Sequence, residues 1–176
     1  VTCNETDEAS IRQGVQRAAD CFAQFDGAAQ GRIRVSIAPH AEYTCSAPFL
    51  RALGEKAQEL GARVHIHVSE TKEEHEQCKQ RHGGLTPIGL LDALGVLDNP
   101  TLAAHCVYVD AQDLAIMQQK HVSVLHCPGS NLKLASGIAP VPAMLAHGLR
   151  IALGTDGAAS NNNLNMFEEL QAVAML

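Results

Sequence analysis

The chain has 176 residues, the size of one domain with enough length to bury a sizeable core. Thirteen Lys and Arg against 19 Asp and Glu give a formal charge of −6, and no basic cluster offsets it, which argues against a nucleic-acid partner. Apolar residues make up 46% and aromatic residues 3%, so the sequence reads as globular with an aliphatic core. No apolar run has the length of a bilayer span and no basic-then-apolar leader opens the chain. The expectation is a soluble, cytoplasmic protein with no membrane partner. Cys3, Cys21, Cys45, Cys78, Cys106 and Cys127 are far apart, never in a Cys-x-x-Cys pair, and read as reduced thiols used as small hydrophobes.

In chain order, helical spacing appears first over Ser10 to Phe25, through Ile11, Val15, Ala18 and Phe22. A strand is expected over Ile33 to Ala38. Ser46 is a candidate N-cap for a helix with Phe49, Leu50, Leu53, Ala57 and Leu60 on one face, stopped by Gly61. The run Arg63 to Val68 reads as a second strand. Thr71 to His82 is a hydrophilic helix with almost no apolar face, either a solvated surface helix or part of a lid. Thr86-Pro87 opens another helix that ends at Gly95. Strands over Thr101 to Ala104, His121 to Leu125 and Leu149 to Leu153 alternate with helices capped by Asp110 and opened by Pro140. An amphipathic segment carrying Met166, Phe167, Leu170, Val173 and Ala174 closes the chain.

Strands separated by helices require parallel pairing, and runs this apolar fit a sheet covered on both faces. A doubly wound sheet and a (β/α) barrel both satisfy the pattern. No Gly-x-Gly-x-x-Gly turn supports dinucleotide binding. Val1 is not an initiator methionine, the last helix has no stop, and five strands are too few to close a barrel of eight. Residues 1–176 are therefore expected to be part of one catalytic barrel domain, cut at both ends.

Each apolar run is followed by a residue able to bind metal or move protons: His40, His67 with Glu70, His105, His126 and Asp156. In a parallel α/β architecture those strand ends share one face, where sites are built. A hydrolytic metal site needs imidazole and carboxylate ligands with one position left for water. His67 and Asp156 are candidate ligands, Glu70 and Asp156 candidate proton carriers, and His105 a partner for the attacking water or the developing oxyanion. His65 shares a strand face with His67. It either completes a two-ligand pair or packs one layer deeper, and the second is preferred because His67 alone stands beside the strand end.

The segments Ala38-Pro39-His40-Ala41-Glu42-Tyr43-Thr44-Cys45, His65-Ile66-His67-Val68-Ser69-Glu70-Thr71, His126-Cys127-Pro128-Gly129-Ser130-Asn131 through Gly137, and Leu153-Gly154-Thr155-Asp156-Gly157 resemble the amidohydrolase superfamily. The resemblance is to its branch of methylthioadenosine/S-adenosylhomocysteine deaminases and triazine hydrolases, and runs from about Ile33 to the C-terminus. It implies a (β/α)8 TIM-type barrel, with about five βα units (strands four to eight) present, and one divalent metal, usually zinc, at the C-terminal mouth. His67 and Asp156 would be metal ligands of the fifth and eighth strands. Asp156 would also take the water's proton and pass it to the leaving amine. Glu70 would contact the substrate and protonate its ring, His105 would orient the attacking hydroxide, and His40 would touch the purine nucleoside. His126 and Asn131 shape the loop after strand seven without a catalytic role, and Ser160 with Asn161 to Asn163 lies near the mouth.

Two departures stand out. The family's first-strand His-x-His pair has no counterpart, since no histidine precedes His40, so the chain alone is expected to hold zinc weakly. Asn165 stands where an acidic residue is expected, a change that bears on how the last helix is capped. The leading expectation is hydrolytic deamination of an adenine nucleoside thioether or a related amino-heterocycle, a small-molecule partner. The alternatives are a triazine- or guanine-type amidohydrolase or chlorohydrolase, and a non-catalytic incomplete barrel. Uncovered sheet edges favour self-association into a homo-oligomer.

Overall fold

A computed structural model describes residues 5–176; Cys3 lies outside the described residues. Five strands, β1 (Ser36–Ile37), β2 (Arg63–Val68), β3 (Thr101–His105), β4 (Ser123–His126) and β5 (Arg150–Leu153), form one sheet in the order β1-β2-β3-β4-β5. Pairing is parallel, with Ser36 opposite Arg63 at one end and Ser123 through His126 opposite Arg150 through Leu153 at the other. Both architectures open to the sequence alternate strands with helices, but a doubly wound sheet reverses its strand order at a switch point. The strictly sequential order is that of a barrel wall.

The chain clusters into two compact units, Val1–Ile66 with Leu90–Leu102, and His67–Gly89 with Ala103–Leu176. In the first, α1 (Glu8–Phe25) starts at Asp7, whose carboxylate accepts from the Ala9 and Ser10 N–H groups. A short turn follows, α2 (Ala28–Gly31), in which Ala29 and Gln30 are left-handed. α3 (Ala47–Leu60) is capped as expected by Ser46 and stopped by left-handed Gly61. Its buried face, Phe49, Leu50, Leu53 and Ala57, packs on α1 and on the 3-10 turn η1 (Val96–Asp98). Gly54 meets Val96 closely: a Cβ there would lie 3.3 Å from the Val96 Cα.

The strand expected from Ile33 starts only at Ser36. Residues before it are tied back to the preceding turn: the Gly27 N–H donates to the Ile33 carbonyl and the Val35 N–H to the Asp26 carboxylate.

The second unit holds α4 (Lys72–Arg81), α6 (Ala111–Gln119), α7 (Pro128–Lys133), α8 (Val141–Ala146), α9 (Ala158–Asn161) and α10 (Met166–Met175). Between α4 and α6, α5 (Pro87–Ala93) runs from this unit into the first. Met117, Val124 and Met144 are completely buried. The hydrophilic helix α4 is not apolar on any face, yet it buries Glu74, His75 and Cys78 and leaves the remaining charges solvated. Asn165 caps α10 by accepting from the Phe167 N–H. One expectation needs correction: the segment after β4 is the short helix α7 rather than a loop. Pro128 sits in its first turn, where its missing N–H costs nothing, and the Asn131 N–H reaches the Cys127 carbonyl at 3.0 Å. No described helix is long and apolar enough to cross a membrane.

Candidate metal centre

β2 alternates: Val64, Ile66 and Val68 are buried on one face, which leaves His65 and His67 half-buried on the other. β3 ends on His105, buried to 1% exposure, and Asp156 follows two residues after Gly154, whose N–H extends the β4 ladder to the His126 carbonyl. Ser69, His105, Cys106 and Asp156 all have positive φ, between 49° and 71°. Non-glycine residues rarely adopt this conformation, which costs about 1–3 kcal/mol each and clusters at functional sites. Here it turns the chain sharply just past three strand ends, where side chains must face inward rather than follow the pleat.

The turns bring His67, His105 and Asp156 together: one ligand atom from each lies within 4.8 Å of the others. The two imidazoles stack, with ring centroids 5.5 Å apart. His105 Nε2 is 3.7 Å from a Glu70 carboxylate oxygen, so Glu70 borders the same group. His65 is not a member of it. His126 is buried, and its Nδ1 has no protein partner; burial holds its imidazole below the ordinary value, opposed by Glu169 and aided by His105. His40 belongs to the first unit, where its Nδ1 lies 2.8 Å from the Thr44 hydroxyl and its ring meets Tyr43 edge-on.

Electrostatics keep Asp156 ionised. Burial pushes its pKa up, but the Ser130 hydroxyl, donating to Oδ2 at 2.7 Å, the Gly157 N–H and the nearby imidazoles hold it below 3.8. Cys127, beside the group, is pushed up to about 12 by burial and by the neighbouring carboxylates, so its thiol is inert.

Several polar residues that the sequence leaves without a role hold this arrangement. Glu74 accepts from the Ser69 N–H at 2.8 Å and the Glu70 N–H at 2.7 Å, fixing the turn that presents Glu70. The Thr71-x-x-Glu74 capping box was the readable signal for it. Glu169, 1% exposed, accepts from the Gly129 N–H and the Asn161 amide. No local pattern announces that contact, which spans 40 residues.

The amidohydrolase family profile matches residues 2–176. Over 153 residues the chain is 50% identical to a Moorella thermoacetica protein named 5-methylthioadenosine/S-adenosylhomocysteine deaminase, covering 87% of this chain and 36% of that one. A Thermoanaerobacter pseudethanolicus protein of the same name is 47% identical over 172 residues, covering 98% and 40%. The chain thus spans between 36% and 40% of the length of these curated relatives. Among solved structures, an adenosine deaminase from Xanthomonas campestris with bound zinc superposes with a TM-score of 0.85 at 35% identity, covering 91% of this chain and 36% of that one. A guanine deaminase from C. acetobutylicum shares the fold, with a TM-score of 0.88 at 21% identity, over 97% of this chain and 42% of that one. The barrel order, the rim and the profile agree, and the chain belongs to the amidohydrolase family.

Proposed function

We propose that this chain supplies part of a metal-dependent hydrolytic deaminase acting on an adenine nucleoside thioether of the methylthioadenosine or S-adenosylhomocysteine kind. The observation that carries the reading is the meeting of His67, Glu70, His105 and Asp156 at one rim. The names of relatives about half identical to it supply the substrate class.

The donor set suits zinc. Imidazole nitrogen and carboxylate oxygen are among its usual catalytic ligands, and the ligand atoms of His67 and Asp156 lie within 4.8 Å of each other, with His105 beside them. His67 and Asp156 would hold the ion, which when bound acts as a Lewis acid and lowers the pKa of water. Asp156, ionised, takes a proton from the attacking water. His105 orients that water through Nε2. Glu70 carries a proton to the ring nitrogen, while its other oxygen accepts from the Ser136 hydroxyl at 3.1 Å. The water oxygen bonds to the ring carbon bearing the amine, Asp156 returns its proton to that nitrogen, and the C–N bond breaks so that ammonia leaves, while the remaining hydroxyl proton passes to Glu70 and restores it for the next turnover. His40 is assigned to the nucleoside by resemblance alone. A cytoplasmic location fits the thiols Cys21, Cys45, Cys78, Cys106 and Cys127, which form no disulfide.

The test is a chimera in which this chain replaces the matching segment of the Moorella relative. Ammonia release from methylthioadenosine is expected, together with stoichiometric zinc. Glu70→Gln should abolish turnover and keep the metal, whereas Asp156→Ala should lose both. A metal-loaded chimera that leaves methylthioadenosine and S-adenosylhomocysteine untouched sinks the substrate assignment.

A further inference from the structure

Three residues of one short segment reach three members of the rim. Ser130 donates to Asp156 Oδ2 at 2.7 Å, Asn131 Oδ1 lies 2.9 Å from His105 Nδ1, and Ser136 donates to Glu70 Oε1 at 3.1 Å. Ser130, Asn131 and Ser136 are themselves 0%, 1% and 3% exposed, so water does not compete for these contacts. The segment is braced from within and from behind. The Ser136 N–H donates to the Asn131 carbonyl at 2.8 Å, and the Gly129 N–H to Glu169. A Cβ on Gly129 would come within 2.5 Å of Glu169 Oε1, so a side chain there would push α7 off this support.

We propose that residues 128–136 form a single positioning element for the rim: Asn131 selects the His105 tautomer, Ser130 orients the Asp156 carboxylate and Ser136 orients Glu70. The inference rests on the deaminase reading for its purpose but not for its geometry. An amide oxygen can only accept, so Asn131 Oδ1 beside His105 Nδ1 places the ring proton on Nδ1. Nε2 then carries the lone pair and lies on the side of the ring that faces Glu70, 3.7 Å from a carboxylate oxygen. Ser130 donates to Oδ2 of Asp156 and so fixes the orientation of its carboxylate. These are positioning residues: outer partners that fix tautomer and orientation commonly change metal affinity by about 10–100-fold when removed.

The experiment uses the 176-residue chain and has two independent readouts. The first is the side-chain 15N spectrum of His105 in the metal-free chain at about pH 8, above the ordinary histidine range. Unsubstituted chain and Asn131→Asp, which keeps an acceptor, should show a protonated Nδ1; Asn131→Leu should show a mixture or the Nε2–H form. A His105 ring protonated on Nε2 in the unsubstituted chain overturns the assignment, since it would mean that the Asn131 amide is turned to donate. The second readout is zinc affinity by competition with a chelator. Ser130→Ala, which releases the ligand Asp156, should weaken binding about 10–100-fold, whereas Asn131→Leu, whose partner His105 is not assigned as a ligand, should change the tautomer and leave the affinity within about twofold. Lys133→Met removes another α7 tether, to the Ala159 carbonyl and Asn162, but touches no rim side chain. It should leave zinc binding within about twofold; an equal loss there would reduce α7 to general packing and overturn the proposal. If the unsubstituted chain holds zinc too weakly to measure, the affinities are read in the chimera with the Moorella relative, and the tautomer readout decides the proposal either way.

Discussion

β2 and β5 both lead into a candidate zinc ligand, yet they place it by different means. β2 lies between β1 and β3, and its buried face of Val64, Ile66 and Val68 fixes the strand, so His67 is aimed by packing. β5 pairs with β4 alone among the described residues, and none of its four residues is buried. Asp156 is aimed instead by hydrogen bonds, from Ser130 and from the Gly157 N–H, on a left-handed backbone. Behind it, α10 leaves Met166, Phe167, Leu170 and Met175 exposed and buries only Glu169. A ligand at the middle of a sheet is held by apolar area; one at the end of a sheet is held by a polar network, and the two should fail differently.

The sharpest test is a pair of truncations. Ile66→Ala removes a completely buried side chain from β2 and should cost about 2–5 kcal/mol in chemical denaturation. Ile151→Ala in half-buried β5 should cost only about 1 kcal/mol. Equal costs would dissolve the contrast. On the polar side, Glu169→Ala leaves the Gly129 N–H without its acceptor and the Asn161 amide with the Thr155 carbonyl alone, and should cost about 1–3 kcal/mol. Glu169→Gln, which keeps an oxygen at that place, should recover part of the loss. A neutral Glu169→Ala would show that hydrogen bonds do not organise this end.

The same contrast explains what could be read in advance. Strand and helix periodicity located β2, α3, α6 and β5 because apolar spacing and caps such as Ser46 and Asp110 are local properties. The rim residues were legible because parallel strands bring their C-terminal ends to one side, so His67, His105 and Asp156 announced themselves by place in the chain. Ser130, Asn131 and Ser136 did not. Pro128 and Gly129 signal a turn, and the contacts of these three residues reach 26, 26 and 66 positions away. Nor did sequence reveal that Ile33 and Val35 would be captured by the turn after α1, which shortened β1.

A smaller effect reports on the polar network through pH. Burial, together with the nearby His105, holds the His126 imidazole below 6.5, so in the folded chain it stays neutral where the unfolded chain takes up a proton. Its contribution to stability is therefore complete above pH 6.5 and lost as pH falls through the lower folded value. His126→Gln should flatten the fall in stability below pH 6.5, measured by denaturation midpoints across that range. An unchanged slope would assign the acid sensitivity to other groups.

The least effect is expected where the contrast is greatest. Phe167 on α10 is 79% exposed, so Phe167→Ser removes little buried area and should change stability by less than about 0.5 kcal/mol. The measurement must be repeated across protein concentrations. If the substitution costs several times that amount, and more at high concentration, copies of the chain cover this face and its apolar residues contribute to stability after all. The end of the sheet would then be packed as well as hydrogen-bonded, and the distinction between how β2 and β5 place their ligands would hold for the isolated chain only. A concentration-independent, near-neutral result leaves Glu169, the one buried residue of α10, as the contact through which that helix supports Asp156.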